Sequence, residues 1–239
     1  MAAWSVEIDP AHSHGPMLAS VLDHGRPPAS LALSHGSSAS NTARLRATLD
    51  WLAPRVGSLV VVEGSYLARW NRMAFDPVSE ADARREAAAE ASLARRRIER
   101  VLGERCPAAR FLDWAELAGS PEVRDTTLAL DRHANEDAAF GAAVRREIAD
   151  YVGRTRGIDP ASLPEECRER LAGYIVEETA VLLELQRRGF PVEVYHGPDL
   201  PLLAAIGAGR FPGLPFACPG RTHLSLRLVK PLSSSFGPP

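Results

Sequence analysis

The sequence contains few cysteines, and none of them is placed for a disulfide framework or a metal site. Cys106, Cys167 and Cys218 are far apart, and there is neither a C-x-x-C motif nor a neighbouring histidine pair at ligand spacing. His12 and His14 lie two residues apart in a loop-like segment without a third ligand in register. The sequence therefore predicts a reduced protein without a bound metal ion.

The sequence also lacks a strong charge imbalance and a long apolar run. The net charge is −2, so binding to nucleic acid would have to rest on a local basic patch. No window approaches the roughly 18 consecutive apolar residues of a membrane span. The first residues, MAAWSVEIDPAHSHG, carry no basic segment followed by an apolar one. A cytoplasmic protein is expected.

What is present is enough apolar sequence for one sizeable domain. The chain has 239 residues, of which 45% are hydrophobic and 24% are charged, and such a chain can bury a large core. Residues 1–28 are rich in Pro, His and Gly without a sustained period, which predicts a mobile lead-in with one short helix near MLASVLDHG. The domain itself is expected at 29–231, followed by a disordered tail at 232–239.

Apolar runs alternate with helical patterns along the predicted domain. SLVVVEG at 58–64 is a continuous apolar run typical of a strand buried on both faces, and Asn41 is placed to cap a helix. The alternation predicts an α/β fold: a single Rossmann-like domain with a parallel sheet of about five strands and helices on both faces. Ligands bind such sheets beyond the carboxyl ends of the strands. The predicted strands lie at 30–34, 58–64, 109–117, 190–196 and 223–229, and the helices at about 42–54, 79–103, 121–152 and 162–189, with a short one after Pro198.

One helical pattern places a carboxylate on an apolar stripe. At about 100° per residue, Tyr174 and Glu178 share the apolar face of the 162–189 helix. A core-facing carboxylate needs a counter-charge, hydrogen-bond partners or a polar cavity. Glu178 is therefore either a structural residue bonded to Tyr174 or the backbone, or part of a functional site. The opposite face, predicted to be solvated, carries Glu177, Glu184, Arg187 and Arg188.

A serine follows the first predicted strand. Ser34 lies where an α/β sheet displays its catalytic groups, and Gly36 allows a tight turn whose N–H groups could face a ligand. The pair suits a nucleophile beside an anion-stabilising turn, although turns of this kind also occur with a purely structural role. The chain has no G-x-S-x-G motif, which argues against an ordinary α/β-hydrolase.

Two further segments place polar side chains together. In FPVEVYH, the alternation of a strand puts Glu193 and Tyr195 on one face and His196 on the other. In DARREAAAEASLARRRIERVLGE, one broad helical side about 25 Å long is rich in arginine. That side can bind RNA phosphates, or it can be a solvated surface whose arginines pair with Glu86, Glu90 and Glu99. Its arginines are Arg84, Arg85, Arg95, Arg96 and Arg100.

Taken together, these motifs resemble those of the tRNA-dependent cyclodipeptide synthases. The family pattern is a G-x-S-x-x-N-type turn after an early strand, an arginine-rich helix, a Y-x-x-x-E pair on a later helix, and a Y-H or Y-P dipeptide that ends a strand. The chain shows ALSHGS at 32–37, ARRRIER at 94–100, YIVEE at 174–178 and YH at 195–196. The resemblance covers roughly 29–231. Ala32 stands where glycine is usual, and Ser37 where a large subfamily has asparagine.

The resemblance implies a domain similar to the catalytic domain of class I aminoacyl-tRNA synthetases, without ATP chemistry or a cofactor. It implies a monomer that consumes two aminoacyl-tRNAs in turn. The first aminoacyl group moves to a serine, the second is condensed to a dipeptidyl-enzyme, and cyclisation releases a diketopiperazine. The residues given roles by the resemblance are Ser34, Tyr174, Glu178, Tyr195 and His196 in catalysis, Ala32, Gly36, Ser37 and Glu193 in substrate binding, and Arg84, Arg85, Arg95, Arg96, Arg97 and Arg100 in tRNA binding.

The same resemblance gives individual roles to the polar residues. Tyr174 and Glu178 would hold the ammonium group of the aminoacyl moiety, which would supply the counter-charge that Glu178 needs. Tyr195 would orient the ester carbonyl or assist proton transfer during cyclisation. Backbone N–H groups at Gly36 would stabilise the oxyanion.

Glu193 lies on the strand that, in this family, lines the pocket for the first aminoacyl side chain. A carboxylate there would favour a basic or hydrogen-bond-donating side chain, with arginine expected first and histidine or lysine next. The alternative is a surface ion pair of Glu193 with Arg187 or Arg188.

Two other functions stay open from the sequence. A non-catalytic RNA-binding module would use only the arginine-rich helix. A serine hydrolase would need a histidine base near Ser34, and the candidates for that base are His35, His196 and His223.

Overall fold

The computed structural model describes residues 4–34, 41–214 and 220–230. Within them the strands are β1 (Ser5–Ile8), β2 (Ala29–Leu33), β3 (Leu59–Glu63), β4 (Arg110–Leu112), β5 (Val192–Tyr195) and β6 (Thr222–Val229). The helices are α1 (Leu18–Leu22), α2 (Thr42–Leu52), α3 (Ala68–Phe75), α4 (Glu80–Arg105), α5 (Trp114–Gly119), α6 (Pro121–Glu136), α7 (Ala138–Arg156), α8 (Glu165–Arg187) and α9 (Pro201–Gly207), and 3₁₀ turns occupy Gly64–Leu67 and Pro160–Ser162.

These strands form one sheet in the order β1-β6-β5-β2-β3-β4. β6, β5, β2, β3 and β4 run parallel, and β1 pairs antiparallel with β6 at the edge. Chain order reverses between β2 and β5, because β3 and β4 extend the sheet on one side and β6 extends it on the other. Ligands of doubly wound sheets bind at this switch point. The predicted Rossmann-like sheet of about five parallel strands is confirmed, and β1 adds a sixth strand.

Helices cover both faces of the sheet. The alternation along the buried strands sends Leu31 and Val61 to one face, where they pack with side chains of α1, α2 and α4. It sends Val60 and Val62 to the other face, into a core formed by α3 and α5 to α9. The second core is the larger. The candidate site lies on this face of the sheet, next to the switch point. No helix in the described ranges is long and apolar enough to cross a membrane.

The N-terminal segment is more regular than the predicted lead-in. The predicted short helix is found as α1, but β1 was missed. Val6 pairs with Leu228 and Ile8 with Leu226, and both β1 side chains pack against the core. The strand is only four residues long and is surrounded by Pro, His and Gly, so its alternation is too brief to register as a period.

The predicted strand at 109–117 is mostly wrong. Only Arg110–Leu112 is extended, and Asp113 then caps α5 by accepting hydrogen bonds from the backbone N–H groups of Ala115 (2.8 Å) and Glu116 (3.3 Å). The pattern D-x-x-E at 113–116 is a helix-start signal that the apolar run concealed. Trp114 is therefore a helical residue, and α3 was likewise not predicted.

The predicted solvated face of α8 is wrong for its two glutamates, whereas Arg187 and Arg188 are exposed as expected. Glu177 and Glu184 are only 7% and 6% exposed. α8 packs against α3, α6 and α7, so it is enclosed by other helices on the face opposite its apolar stripe. A helical wheel shows which side chains share a face, but it does not show whether a second layer covers the polar face.

Candidate active site

A narrow cavity of about 40 Å³ opens beyond the carboxyl ends of β2 and β5, at the switch point of the sheet. Its walls are mainly apolar and include Ala32, Leu67, Trp114 and Leu182. Five polar side chains face it, and each of them was predicted as a site residue. They are Ser34, Tyr174, Glu178, Glu193 and Tyr195.

Ser34 and Tyr195 lie at the carboxyl ends of two neighbouring parallel strands. Leu31 of β2 pairs with Val194 of β5, which brings the ends of both strands to the same edge of the sheet. The Ser34 hydroxyl and the Tyr195 phenol share a hydrogen bond. Burial and the nearby Glu178 raise the pKa of Tyr195. The phenol therefore stays protonated at neutral pH and can donate as well as accept a proton.

Glu178 is the second acidic side chain that faces the cavity. The described residues offer its carboxyl group neither a hydrogen bond nor an ion pair, which removes the structural alternative of a bond to Tyr174 or the backbone. Burial, reinforced by Glu147 and Glu193, raises the pKa of Glu178 to about 8. A carboxyl group in this state gains a counter-charge when a cation enters the cavity.

Tyr174 is held in place by a second tyrosine. Its ring stacks on Tyr151, with centroids 5.0 Å apart and planes inclined by 27°. The Tyr151 hydroxyl donates to Oδ1 of Asn71 on α3 (3.0 Å), which fixes the stack. Burial, together with Glu178, raises the pKa of Tyr174 well above its usual value, so this phenol is also a neutral donor.

The neighbouring Glu177 has the opposite environment. It forms a buried ion pair with Arg69 of α3 and accepts hydrogen bonds from the indole N–H groups of Trp70 (3.2 Å) and Trp114 (3.1 Å). The Arg69 guanidinium in turn lies 4.2 Å from the ring centroid of Tyr66. The charge of Glu177 is thus balanced by Arg69, and its oxygens are hydrogen-bonded. The adjacent Glu178 instead faces the cavity.

Glu193 is bound inside the protein rather than at its surface. Its Oε2 accepts a hydrogen bond from Nη2 of Arg221 (2.9 Å), and both side chains are about 5% exposed. Burial alone would raise the pKa of Glu193, but Arg221 and His223 outweigh it and lower that pKa to about 2. The alternative ion pair with Arg187 or Arg188 is wrong, because both of those arginines bind Glu184.

His196 does not belong to the cavity. The alternation of β5 sends it to the other face, where Nε2 lies 3.1 Å from Oγ1 of Thr48 and Nδ1 lies 3.2 Å from the Leu226 carbonyl. Burial lowers the pKa of His196 to about 4, so the ring is neutral. We correct its assignment from a catalytic residue to one that links α2 to β6. Gly36, Ser37 and His35 lie outside the described residues.

Trp114 and Arg221 are two residues in or beside the site that were not predicted. Trp114 lines the cavity and also binds Glu177, but it was placed in a strand. Arg221 immediately precedes β6 and stands two residues before His223, so extended backbone places both side chains on the face that Glu193 occupies on β5. This signal was present in the sequence. It could not be used without the register between the two strands.

The six arginines of α4 that were expected to bind tRNA fall into two groups. Arg84, Arg85 and Arg95 each form an ion pair on their own helix, at 2.7 Å with Glu80, 2.6 Å with Asp82 and 2.9 Å with Glu99. Glu86 and Glu90, predicted as partners within α4, bind Arg72 of α3 instead. The described residues offer no acidic partner to the other three arginines, which leaves a compact basic patch in the second half of α4. These three are Arg96, Arg97 and Arg100.

No protein-family model matches the sequence, and a search of curated proteins finds no match. Among solved structures, a CDPS (cyclodipeptide synthase) from Fluoribacter dumoffii is 14% identical, with 95% of this chain and 99% of that chain covered and a TM-score of 0.74. A Mycobacterium tuberculosis protein described as relating cyclodipeptide synthetases to type I tRNA synthetases is 19% identical, with 95% and 94% covered and a TM-score of 0.70.

A third structure was solved with an RNA ligand. It is a cyclodipeptide synthase from Candidatus Glomeribacter gigasporarum bound to Phe-tRNAPhe, 17% identical, with 88% of this chain and 94% of that chain covered and a TM-score of 0.57. All three likenesses extend over most of both chains at low identity, so what they establish is the architecture. The chain has the Rossmann-like fold that is found in cyclodipeptide synthases.

Proposed function

We propose that this protein is a tRNA-dependent cyclodipeptide synthase with Ser34 as its nucleophile. The observation that carries the proposal is one cavity, at the switch point of the sheet, that holds a hydrogen-bonded Ser34–Tyr195 pair and the Glu178 carboxyl group, which has no hydrogen-bond or ion-pair partner among the described residues. The fold of the similar structures supports it, as does the tRNA bound to one of them. Because aminoacyl-tRNAs are cytoplasmic, the proposed activity is cytoplasmic too.

In the first step, Ser34 Oγ attacks the ester carbonyl of an aminoacyl-tRNA. A new ester bond forms to Ser34, the bond to the terminal ribose oxygen of the tRNA breaks, and the tRNA leaves with its hydroxyl group restored. The proton lost by Ser34 passes to that oxygen. Tyr195, hydrogen-bonded to Ser34, can relay it by accepting one proton and donating another. The ester is already activated, so a strong base is not needed.

Glu178 binds the ammonium group of the aminoacyl moiety. An ammonium ion beside it favours the ionised carboxylate, and binding therefore converts an uncompensated buried acid into an ion pair. The Glu178 pKa of about 8 is close to that of an α-amino group, which is roughly 7.7–8.0. Glu178 can therefore also accept the proton that the amine must lose before it becomes a nucleophile.

Two amide bonds complete the product. The freed amine of the aminoacyl-Ser34 attacks the ester carbonyl of a second aminoacyl-tRNA, forming a dipeptidyl-enzyme and releasing the second tRNA with its hydroxyl. The new amino terminus then attacks the Ser34 ester. The diketopiperazine leaves, and Ser34 recovers its proton through Tyr195.

Contacts of the described residues weigh against a serine hydrolase. Neither His196 nor His223 contacts Ser34. His196 lies on the opposite face of the sheet, against Thr48. His223 lies against the Gly197 carbonyl and the Glu193 carboxylate. A non-catalytic RNA-binding module would have no use for a serine, a tyrosine and a free carboxyl group in one cavity.

Mass spectrometry of the protein incubated with mixed aminoacyl-tRNAs tests the proposal. We expect an aminoacyl adduct on a peptide that contains Ser34, and a diketopiperazine in the medium of a host expressing the chain. Uncharged tRNA is the control and should give no adduct. If neither the adduct nor the diketopiperazine is found, the synthase proposal is wrong.

Replacing Tyr195 with phenylalanine is expected to slow both formation and release of the aminoacyl-enzyme. The change removes the hydroxyl that binds Ser34, and general acid–base groups contribute about 10²–10⁴-fold to rates. Quenched-flow mass spectrometry measures the two steps. Tyr151→Phe is the matched control, because this tyrosine stacks on Tyr174 but does not line the cavity. Equal rates in the two variants would contradict the relay role of Tyr195.

The basic patch of α4 should bind tRNA more strongly than the paired arginines. Changing Arg96, Arg97 and Arg100 together to alanine should raise the KM for aminoacyl-tRNA and flatten its dependence on salt by about 0.7–0.9 in log–log slope per lost phosphate contact. The control is the triple alanine variant of the arginines that already form ion pairs within α4. Equal effects of the two triple changes would show that the patch has no special role. The paired arginines are Arg84, Arg85 and Arg95.

A further inference from the structure

Beside the cavity lies a buried acidic cluster that can bind a cation. Donor atoms of Glu193, Asp199 and His223 all lie within 4.8 Å of one another. The two carboxylates are almost fully buried, with side chains 6% and 9% exposed. Such a pair is costly unless a positive group compensates it.

The positive group is the protein's own Arg221. Its Nη1 and Nη2 each lie 2.5 Å from one oxygen of Asp199, in the two-pronged arrangement that a guanidinium favours, and Nη2 also donates to Glu193 (2.9 Å). The side chain is 5% exposed. His223 Nδ1 lies farther away, 3.6 Å from Glu193 and 3.7 Å from Asp199, which is ion-pair rather than hydrogen-bond distance.

This arrangement changes what Glu193 offers to the cavity. Glu193 lines the cavity, but the carboxylate that a basic substrate side chain would need is already bound to a guanidinium. Although burial would lower the pKa of His223, its contacts with Glu193 and Asp199 raise it. When His223 is protonated, the charges of Arg221 and His223 balance those of Glu193 and Asp199, and His14 Nε2 lies a further 3.0 Å from Asp199 Oδ2. A second cation would then be buried without compensation, which is strongly unfavourable.

We propose that Arg221 is a specificity-determining residue, an internal guanidinium that fills the place of a basic substrate side chain, so that the first aminoacyl group must carry an uncharged one. The inference rests on the proposed function. It reverses the expectation of an arginyl substrate, since the site that would recognise arginine is occupied from within. The cavity then selects through its apolar walls, including Leu67, Leu182 and Leu200.

The test compares arginyl-tRNA with leucyl-tRNA as the source of the Ser34 adduct. The parent protein should form the leucyl adduct at least tenfold faster than the arginyl adduct. Arg221→Ala leaves Glu193 and Asp199 facing an arginine-sized space, and it should raise the arginyl-to-leucyl ratio at least tenfold. Arg227→Ala is the matched control, because that arginine lies on β6, six residues after Arg221, and is exposed, with its Nε 3.8 Å from Asp9. Its ratio should equal that of the parent.

A second measurement covers the case in which Arg221→Ala folds poorly. Ethylguanidinium chloride at low millimolar concentration should raise the melting temperature of this variant relative to equal NaCl, and it should not do so for the parent. A parent that uses arginyl-tRNA as readily as leucyl-tRNA would overturn the inference. So would an Arg221→Ala variant with an unchanged ratio, or one that ethylguanidinium does not stabilise. A parent that forms no adduct with any aminoacyl-tRNA would instead overturn the proposed function, while the stabilisation by ethylguanidinium would still test the cation site.

Discussion

Replacing Ser34 with alanine should abolish both the aminoacyl adduct and the diketopiperazine while leaving the domain folded. The change removes the oxygen that we propose as the nucleophile. It costs one hydrogen bond, to Tyr195, which corresponds to about 1 kcal/mol of stability. Intact-protein mass spectrometry measures the adduct, and urea denaturation measures the free energy of unfolding.

Ser30→Ala is the control for this prediction. Ser30 lies on the same strand and is buried, with its hydroxyl 3.5 Å from the Val192 carbonyl, but it does not line the cavity. This variant should keep the adduct and the product. Persistence of an adduct of the same mass in Ser34→Ala would show that another residue is the nucleophile.

Replacing Glu178 with glutamine should lower product formation by at least about 100-fold, a typical loss when a charged transition-state contact is removed. The same change should make the protein more stable at alkaline pH. Since the pKa of Glu178 rises from 4.5 to about 8 on folding, the folded protein holds this proton more tightly than the unfolded chain does. The carboxyl group therefore costs stability progressively as the pH rises from about 4.5 to 8. Glutamine avoids this cost, and we expect a gain on the order of 2 kcal/mol at pH 9, allowing for the partial exposure of the group.

The adjacent Glu177→Gln variant should behave in the opposite way. It leaves the Arg69 guanidinium buried without its partner, which typically costs about 3–5 kcal/mol. Urea denaturation of both variants at pH 5, 7 and 9 measures the contrast. If Glu178→Gln were as destabilising as Glu177→Gln, or if it kept the parental rate of product formation, Glu178 would be a structural residue after all.

The fold and most of the cavity could be predicted from local patterns. The alternation of β5 placed Glu193 and Tyr195 together, and the apolar stripe of α8 placed Glu178 inside. The predictions that failed concern side chains whose partners lie far away in the sequence. Glu177 was expected in solvent because the arginine and the two tryptophans that bind it arrive from α3 and α5, which the sequence analysis missed.

Arg221 illustrates the same limit more sharply. It stands 28 residues after Glu193, and only the register of β5 against β6 brings the two side chains together. From its charge alone, Glu193 was expected to bind a basic substrate side chain. The structure supplies the cation from the protein itself, and no local pattern distinguishes these two cases.

The short antiparallel strand β1 also matters for how copies of the chain behave toward one another. β6 pairs with β5 on one side, whereas on its other side β1 covers Leu226 to Val229 and the bridge at His14 covers His223. Without this cover, β6 would present a row of free backbone N–H and C=O groups, which is a template for strand pairing between molecules. β1 instead becomes the outer strand of the sheet, and because it is only four residues long it offers little backbone for strand pairing between molecules.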